Sequence, residues 1–511
     1  MTKTRIYKVA LVGLAVFLLC VSSQMQNLLN SERGLLGLTH LPPLKNAPPL
    51  LAFTTVALGG LRGLIANALW MRMNDLQNSD KFFEMVQLAD WTTALEPHFV
   101  QVWNNQAWNM AYNVSVKFKN PEDRWLWVKR GIELLRDHGI PLNPDAPLLY
   151  RDLSWMFQHK IGQNLDDAHM TYKLHWAQEM QDVLGRHPNI QALEHPTTPE
   201  ENERARRLRE VYKMDPAIIQ RVDEQYGPFD WRLPDAHAVY WAELYRQIAA
   251  DTNGLWPKAS TYDTNGYDTD TLRRSIFQSL RMACLRGGEL PPSVTNVTEQ
   301  NFMLWPNLDL VPHINGAYEE MVREQPDLNF KNAQKNFLKE AIPLLYVNGR
   351  LPEANLWFDY LKKNFTNAFV GKEANMSLED FAAATVNEDD TETDPNRVMA
   401  NLAGMYVKEF LALVSDQDDT AVNYDNFAKR VWNHYTDKIG TISKQRLELK
   451  PWQEIRQRTL NYMLDPNPQT SLISVYAQNI LRTKLGLAKP TAPQPPPPAS
   501  AEAPAVPTAP Q

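Results

Sequence analysis

Two prolines, Pro97 and Pro144, are each followed six residues later by a large aromatic residue, Trp103 and Tyr150. Behind each aromatic runs a helical series of small and apolar positions: Ala107, Met110 and Ala111 in the first case, Leu153, Ser154 and Phe157 in the second. Proline ends a helix because it has no N–H to donate and its ring collides with the preceding turn. A short turn then leads into a helix that buries an aromatic and a small residue. The interval recurs from Pro234 to Tyr240 and from Pro352 to Phe358. Four agreeing registers predict an all-α chain of stacked helical hairpins. The rival architecture is an irregular all-α domain in which the prolines coincide by chance.

Composition supports a folded core and limits the partners. Of 511 residues, 44% are hydrophobic and fifteen are tryptophan, more than a disordered chain carries. A net charge of −7 with interspersed signs lacks the basic face a nucleic-acid binder needs, so no nucleic-acid partner is expected. With only Cys20 and Cys284, neither a disulfide framework nor a cysteine metal site can be built in the folded part.

The ends of the chain read differently from its middle. Lys3, Arg5 and Lys8 precede the apolar run Val9–Val21, and Ser22-Ser23 follow, which is the layout of a signal peptide or a single-pass signal anchor over residues 1–25. Positive charge ahead of the run keeps the N-terminus cytoplasmic and sends the bulk across. The expected location is therefore the inner membrane of a bacterial-type envelope with the bulk periplasmic, or the periplasm itself if the segment is cleaved. Residues 26–49 form a linker stiffened by Pro42-Pro43 and Pro48-Pro49. Leu50–Met71 is a second apolar stretch, but Arg62 near its centre is costly in lipid, so it reads as a packed or interfacial helix. Residues 489–511 are mostly Pro and Ala and read as a disordered tail.

Between the ends, helical patterns fill three expected regions, 50–190, 191–365 and 366–488. Asn120-Pro121-Glu122-Asp123 is a start signal, with a capping side chain, a proline at the first helical position and acids at the positive end. The helix it opens is expected to stop at His138-Gly139. Leu165–Leu184, Thr197–Lys213, Thr271–Arg286, Asn396–Ser415, Asn423–Lys438 and Pro451–Leu464 read as further helices. Asp251–Asp270 and the acidic run Glu388–Asp394 read as loops, and Ser293–Thr298 alternates like a short strand.

The residues after Pro97, Pro144 and Pro234 resemble the first helix of tetratricopeptide (TPR) repeats, and Gly349-Arg350-Leu351-Pro352-Glu353-Ala354 with Phe358 resembles the turn and second helix. Phe337, Ala341 and Leu345 would belong to the first helix of that unit. Gln106 departs from the pattern, and the distance from Pro97 to Pro144 exceeds the usual repeat of about 34 residues, so one unit carries an insertion. The resemblance implies a TPR-like helical-hairpin solenoid that holds a protein or peptide partner and does no chemistry.

His159, His169 and His175 with Asp166 and Asp167 are the most tempting cluster, but their spacing is not that of a zinc helix. No phosphate loop, nucleophile elbow, dinucleotide motif or haem-attachment pair occurs, so neither catalytic residues nor a cofactor is indicated. Trp108 and Tyr112, one turn apart and offset from Trp103, are the expected lining of a partner-binding groove. Trp231 and Arg232, within Gly227–Pro234, are the second candidates, either as a ligand contact or as a plug in which Asp230 pairs with Arg232. The alternative function is a carbohydrate-active or glycan-binding envelope protein on an α/α framework, using aromatic platforms and carboxylates such as Asp230 and Asp235.

Overall fold

A computed structural model describes residues 62–79, 81–185, 188–250, 267–288, 304–324, 328–365, 376–382, 394–439, 447–465 and 472–487, with a few isolated positions besides. Among these residues every regular element is helical, and there is no strand. The chain forms two compact units, Met1–Val222 with His237–Ile276 and Asp223–Ala236 with Phe277–Gln511.

The first unit opens with α1 (Arg62–Asn78), α2 (Phe82–Leu95) and α3 (Val100–Trp108). Three successive helices are not uniform. α3 runs on through a π-helical turn, Asn109–Val114, and a 3₁₀ turn, Ser115–Lys117; α4 (Pro121–Glu133) continues through a π turn, Leu134–Gly139, into Ile140–Leu142; α5 (Pro147–Trp155) ends in a third, Met156–Ile161. α6 (His169–Leu184), α7 (Ile190–Glu194) and α8 (Pro199–Glu210) follow; α9 (Pro216–Tyr226), α10 (Pro234–Ala250) and α11 (Tyr267–Arg286) are each divided between the two units.

Local chemistry accounts for the starts. The Asn120 side chain accepts from the Glu122 amide ahead of Pro121, as its sequence signal requires. Thr198 and Glu201 form a capping box at α8. The proline-to-aromatic interval has a physical counterpart: Trp103 Nε1 donates to the Pro97 carbonyl at 2.8 Å, and the Tyr150 hydroxyl donates to the Pro144 carbonyl at 3.0 Å. Trp103, Ala107, Met110, Ala111, Tyr150, Leu153 and Phe157 are all buried. Gly131 sets how closely α4 approaches α3, since a Cβ there would lie 2.8 Å from the Ala107 carbonyl oxygen and 3.2 Å from Ala111 Cβ.

Three boundaries differ from expectation. α4 does not stop at His138-Gly139 but passes through them, by way of the π turn Leu134–Gly139, to Leu142, with Pro141 near the start of the last segment where its missing amide is tolerated. The helix expected from Leu165 starts at His169, because the Asp166 carboxylate leaves the helical path to accept from the Ala168 amide. α11 begins at Tyr267, four residues before Thr271.

The second unit contains the clearest hairpin. α12 (Val311–Glu324) precedes α13 (Leu328–Val347), which turns at Gly349 into α14 (Leu351–Asn364). Gly349 has φ +79°, a left-handed conformation suited to glycine, and the expected pairing residues Phe337, Ala341, Leu345, Ala354 and Phe358 are buried. α15 (Pro395–Val414) is capped by Asp394 and packs against α13, α16 (Asp418–Lys438), α17 (Trp452–Met463) and α18 (Val475–Lys484). Leu402, Met405, Phe410, Ala428, Ile455, Met463 and Leu481 form the core between the last four helices.

No helix among the described residues is long and apolar enough to cross a membrane. The run Val9–Val21 lies almost wholly outside them; its described positions Phe17, Leu18 and Val21 are helical and exposed. The 26–49 linker apart from its few isolated positions, the start of Leu50–Met71, residues 251–266, the Ser293–Thr298 segment apart from Val294, residues 383–393 and the tail also lie outside.

A candidate interaction ledge on the π-turn helices

Two of the π turns touch, and the rings around them form one ladder. Trp108 stacks on Tyr112 with centroids 4.0 Å apart and planes within 17°. Tyr112 and His159 Nδ1 share a hydrogen bond of 3.2 Å, and the His159 ring stacks on Trp155 at 4.5 Å. Trp108 pairs with Tyr112 and Trp155 with His159 at a spacing of four residues, each pair running from the last residue of an α-helix into the π turn that follows it. The tyrosine-histidine bond then joins the two pairs across helices. Trp108 is 39% exposed, so the ladder meets solvent at that end, while Tyr112, Trp155 and His159 are half-buried.

Beneath the ladder lies a cluster of buried charge. Lys160 Nζ donates to Asp166 Oδ2 at 2.7 Å, Arg124 Nη1 to Asp166 Oδ1 at 2.9 Å and the Tyr172 hydroxyl to Asp166 Oδ2 at 2.9 Å. Lys160 Nζ also sits 5.3 Å from the Tyr112 ring centroid and 5.6 Å from that of Tyr172. Burial disfavours the charged forms throughout, but at Asp166 the lysine and the hydrogen bonds outweigh it and hold the carboxyl well below its usual range. The Lys160 ammonium is lowered by burial despite Asp166. His159 is lowered by burial and by neighbouring Lys160, and burial pushes the Tyr112 hydroxyl far up. These directions favour the uncharged forms of Tyr112 and His159, with the Lys160–Asp166 pair beneath them.

The three histidines singled out from the sequence are dispersed. His159 belongs to the ladder; His169 Nδ1 accepts from Lys173 Nζ at 2.9 Å; His175 Nε2 meets Glu122 at 2.6 Å and stacks on Trp125. Among the described residues no three His, Cys, Asp or Glu side chains converge where a metal could sit.

Trp231 and Arg232 are enclosed in the second unit, at 2% and 0% exposure. Arg232 pairs with Asp230 through Nε and Nη2, and Nη2 also donates to the Leu290 carbonyl at 2.8 Å; the Leu290 amide returns a bond to Asp230 at 2.7 Å. Trp231 Nε1 donates to Asp223 Oδ1 at 2.9 Å, so the tryptophan docks on the preceding α9. Asp235 forms a second buried pair with Arg286, at 2.8 and 2.9 Å.

Lys160, Arg124, Tyr172 and Trp155 were not selected from the sequence. One signal was available for the first: Lys160 falls between the buried positions Phe157 and Ile161, where a lysine must find a partner. Compared with known proteins, the chain matches no protein family, no curated protein and no solved structure.

Proposed function

We propose that this chain is a non-enzymatic protein-binding scaffold of a bacterial-type cell envelope. In this reading it is a TPR-like stack of helical hairpins, tethered by its N-terminal segment to the inner membrane with its bulk outside the cytoplasm. The observation that carries the binding role is the ladder of Trp108, Tyr112, His159 and Trp155. Its rings are held in place before any partner arrives, so little side-chain freedom is lost on binding. Its flat aromatic face suits an aliphatic or proline side chain of an extended or helical peptide. Trp108 and Tyr112 make the contact, while Trp231 and Arg232 hold the Gly227–Pro234 loop in place.

The test is photocrosslinking in the native cell from a reactive amino acid at exposed Asn105, one turn before Trp108 on α3. A defined protein adduct that disappears on Trp108→Ala or Tyr112→Ala is expected.

The glycan-binding alternative draws on the same exposed Trp108, since an aromatic face also stacks on sugar C–H groups. Its catalytic form finds less support, because Asp230 and Asp235 are each engaged by a buried arginine. Retention of glycans alone by the purified protein, with no protein adduct, would favour it.

A further inference from the structure

A second aromatic group in the first unit has a different chemical surround. Phe83 on α2, Phe118 after the 3₁₀ turn and Trp127 on α4 form a closed triangle, with centroids 6.1, 5.7 and 6.2 Å apart. Phe83 is 55% exposed, and Val116 and Leu126 beside the other two are exposed as well. Exposed Lys117 and Lys119 bracket half-buried Phe118, Lys81 lies two residues before Phe83, and exposed Arg130 stands 4.9 Å over the Trp127 ring. Of the nearby acids, Glu84 faces Lys81 at 3.8 Å and Glu122 faces His175 at 2.6 Å, while exposed Asp123 on α4 stands among the more numerous basic side chains Lys117, Lys119 and Arg130. Protein interfaces select aromatics but deplete lysine. Membrane interfaces select both, since the rings sit at headgroup depth and lysine stems reach past them to the phosphates.

We infer that the Phe83–Phe118–Trp127 face, with Lys117, Lys119 and Arg130, rests on an anionic lipid surface. This inference uses the membrane tether of the preceding section. On a tethered chain, contact is intramolecular in effect, and each basic side chain near such a surface shifts the docked population about fivefold.

The test uses the full chain carrying Cys20→Ser and reconstituted in vesicles of phosphatidylcholine with phosphatidylglycerol. Buried Cys284 stays unlabelled. A spin label at Phe83→Cys is compared with one at exposed Val211→Cys. The expected result is a Phe83 label reached by oxygen but shielded from a water-soluble nickel chelate, with the shielding lost in pure phosphatidylcholine and in Lys117→Glu/Lys119→Glu. A Phe83 label as open to nickel as that at Val211 overturns the inference alone. Shielding from both oxygen and nickel overturns it in favour of a protein contact. A chain that does not float with the vesicles overturns the tether together with the inference.

Discussion

The Pro97 carbonyl receives Trp103 Nε1 at 2.8 Å, and it receives Asn143 Nδ2 at 2.9 Å as well. One oxygen at the end of α2 is thus held by the helix that follows it and by the residue that ends the α4 run. Tyr150 repeats the first half of this arrangement on Pro144. The angle at which each helix leaves the turn is set by a side-chain donor as well as by the backbone.

Tyr150→Phe keeps the ring and removes only the donor, so it is expected to lower stability by about 1 kcal/mol, whereas Trp103→Phe removes the donor and also shrinks a buried side chain. The loss at Trp103 is expected to be the larger despite the Asn143 bond that still serves the Pro97 carbonyl, because volume is lost with the donor. Urea unfolding with both single variants is the measurement. Unchanged midpoints would mean that the backbone alone sets the corner.

The buried charges beneath the ladder are asymmetric in their partners. Lys160→Met leaves Asp166 with Arg124 and Tyr172, whereas Asp166→Asn strands Lys160. The second change is expected to cost about 3 kcal/mol or more and the first clearly less. Thermal unfolding of the two variants side by side decides the order.

His159 makes the fold sensitive to mild acid. Its folded pKa is lowered, so the unfolded state takes up the proton first as pH falls through the ordinary value near 6.5. The contribution is complete above that value and is lost progressively below it. His159→Gln should therefore show a smaller drop in melting temperature between pH 7.5 and pH 5.5 than the native chain.

Asp230→Ala removes the partner of a fully enclosed guanidinium and also the acceptor of the Leu290 amide. A loss of about 3–5 kcal/mol is expected, and Asp230→Leu with Arg232→Met should lose less than the single change. Chemical denaturation of single and double variants tests this. A double variant worse than Asp230→Ala would contradict the account.

Helix positions were legible where one residue type has one physical use, as with Asn120 before Pro121 or the turn at Gly349. The proline-to-aromatic interval was legible as a pattern, but its meaning differs by site. Tyr240, six residues after Pro234, accepts from the Asp215 amide, and Phe358 has no donor at all. Pro343 sits inside α13, a helix that the burial of Ile342, Leu344 and Leu345 sustains against the local preference. The π turns were not legible, since a reading at 3.6 residues per turn assumes the register they break. For the candidate site, Trp108 and Tyr112 could be chosen from their offset, but their link to His159 joins residues 47 apart in the chain.

The π turns carry one more implication. Each takes up an extra residue, which rotates everything downstream by roughly 100° about the rod axis. Deleting a single residue from Asn109–Val114 would let an ordinary helix form, yet it would swing Phe118 away from Phe83 and Trp127 and uncouple Tyr112 from His159. Segment length along these three rods works as a dial for side-chain heading, and shortening by one residue should be more damaging there than most substitutions.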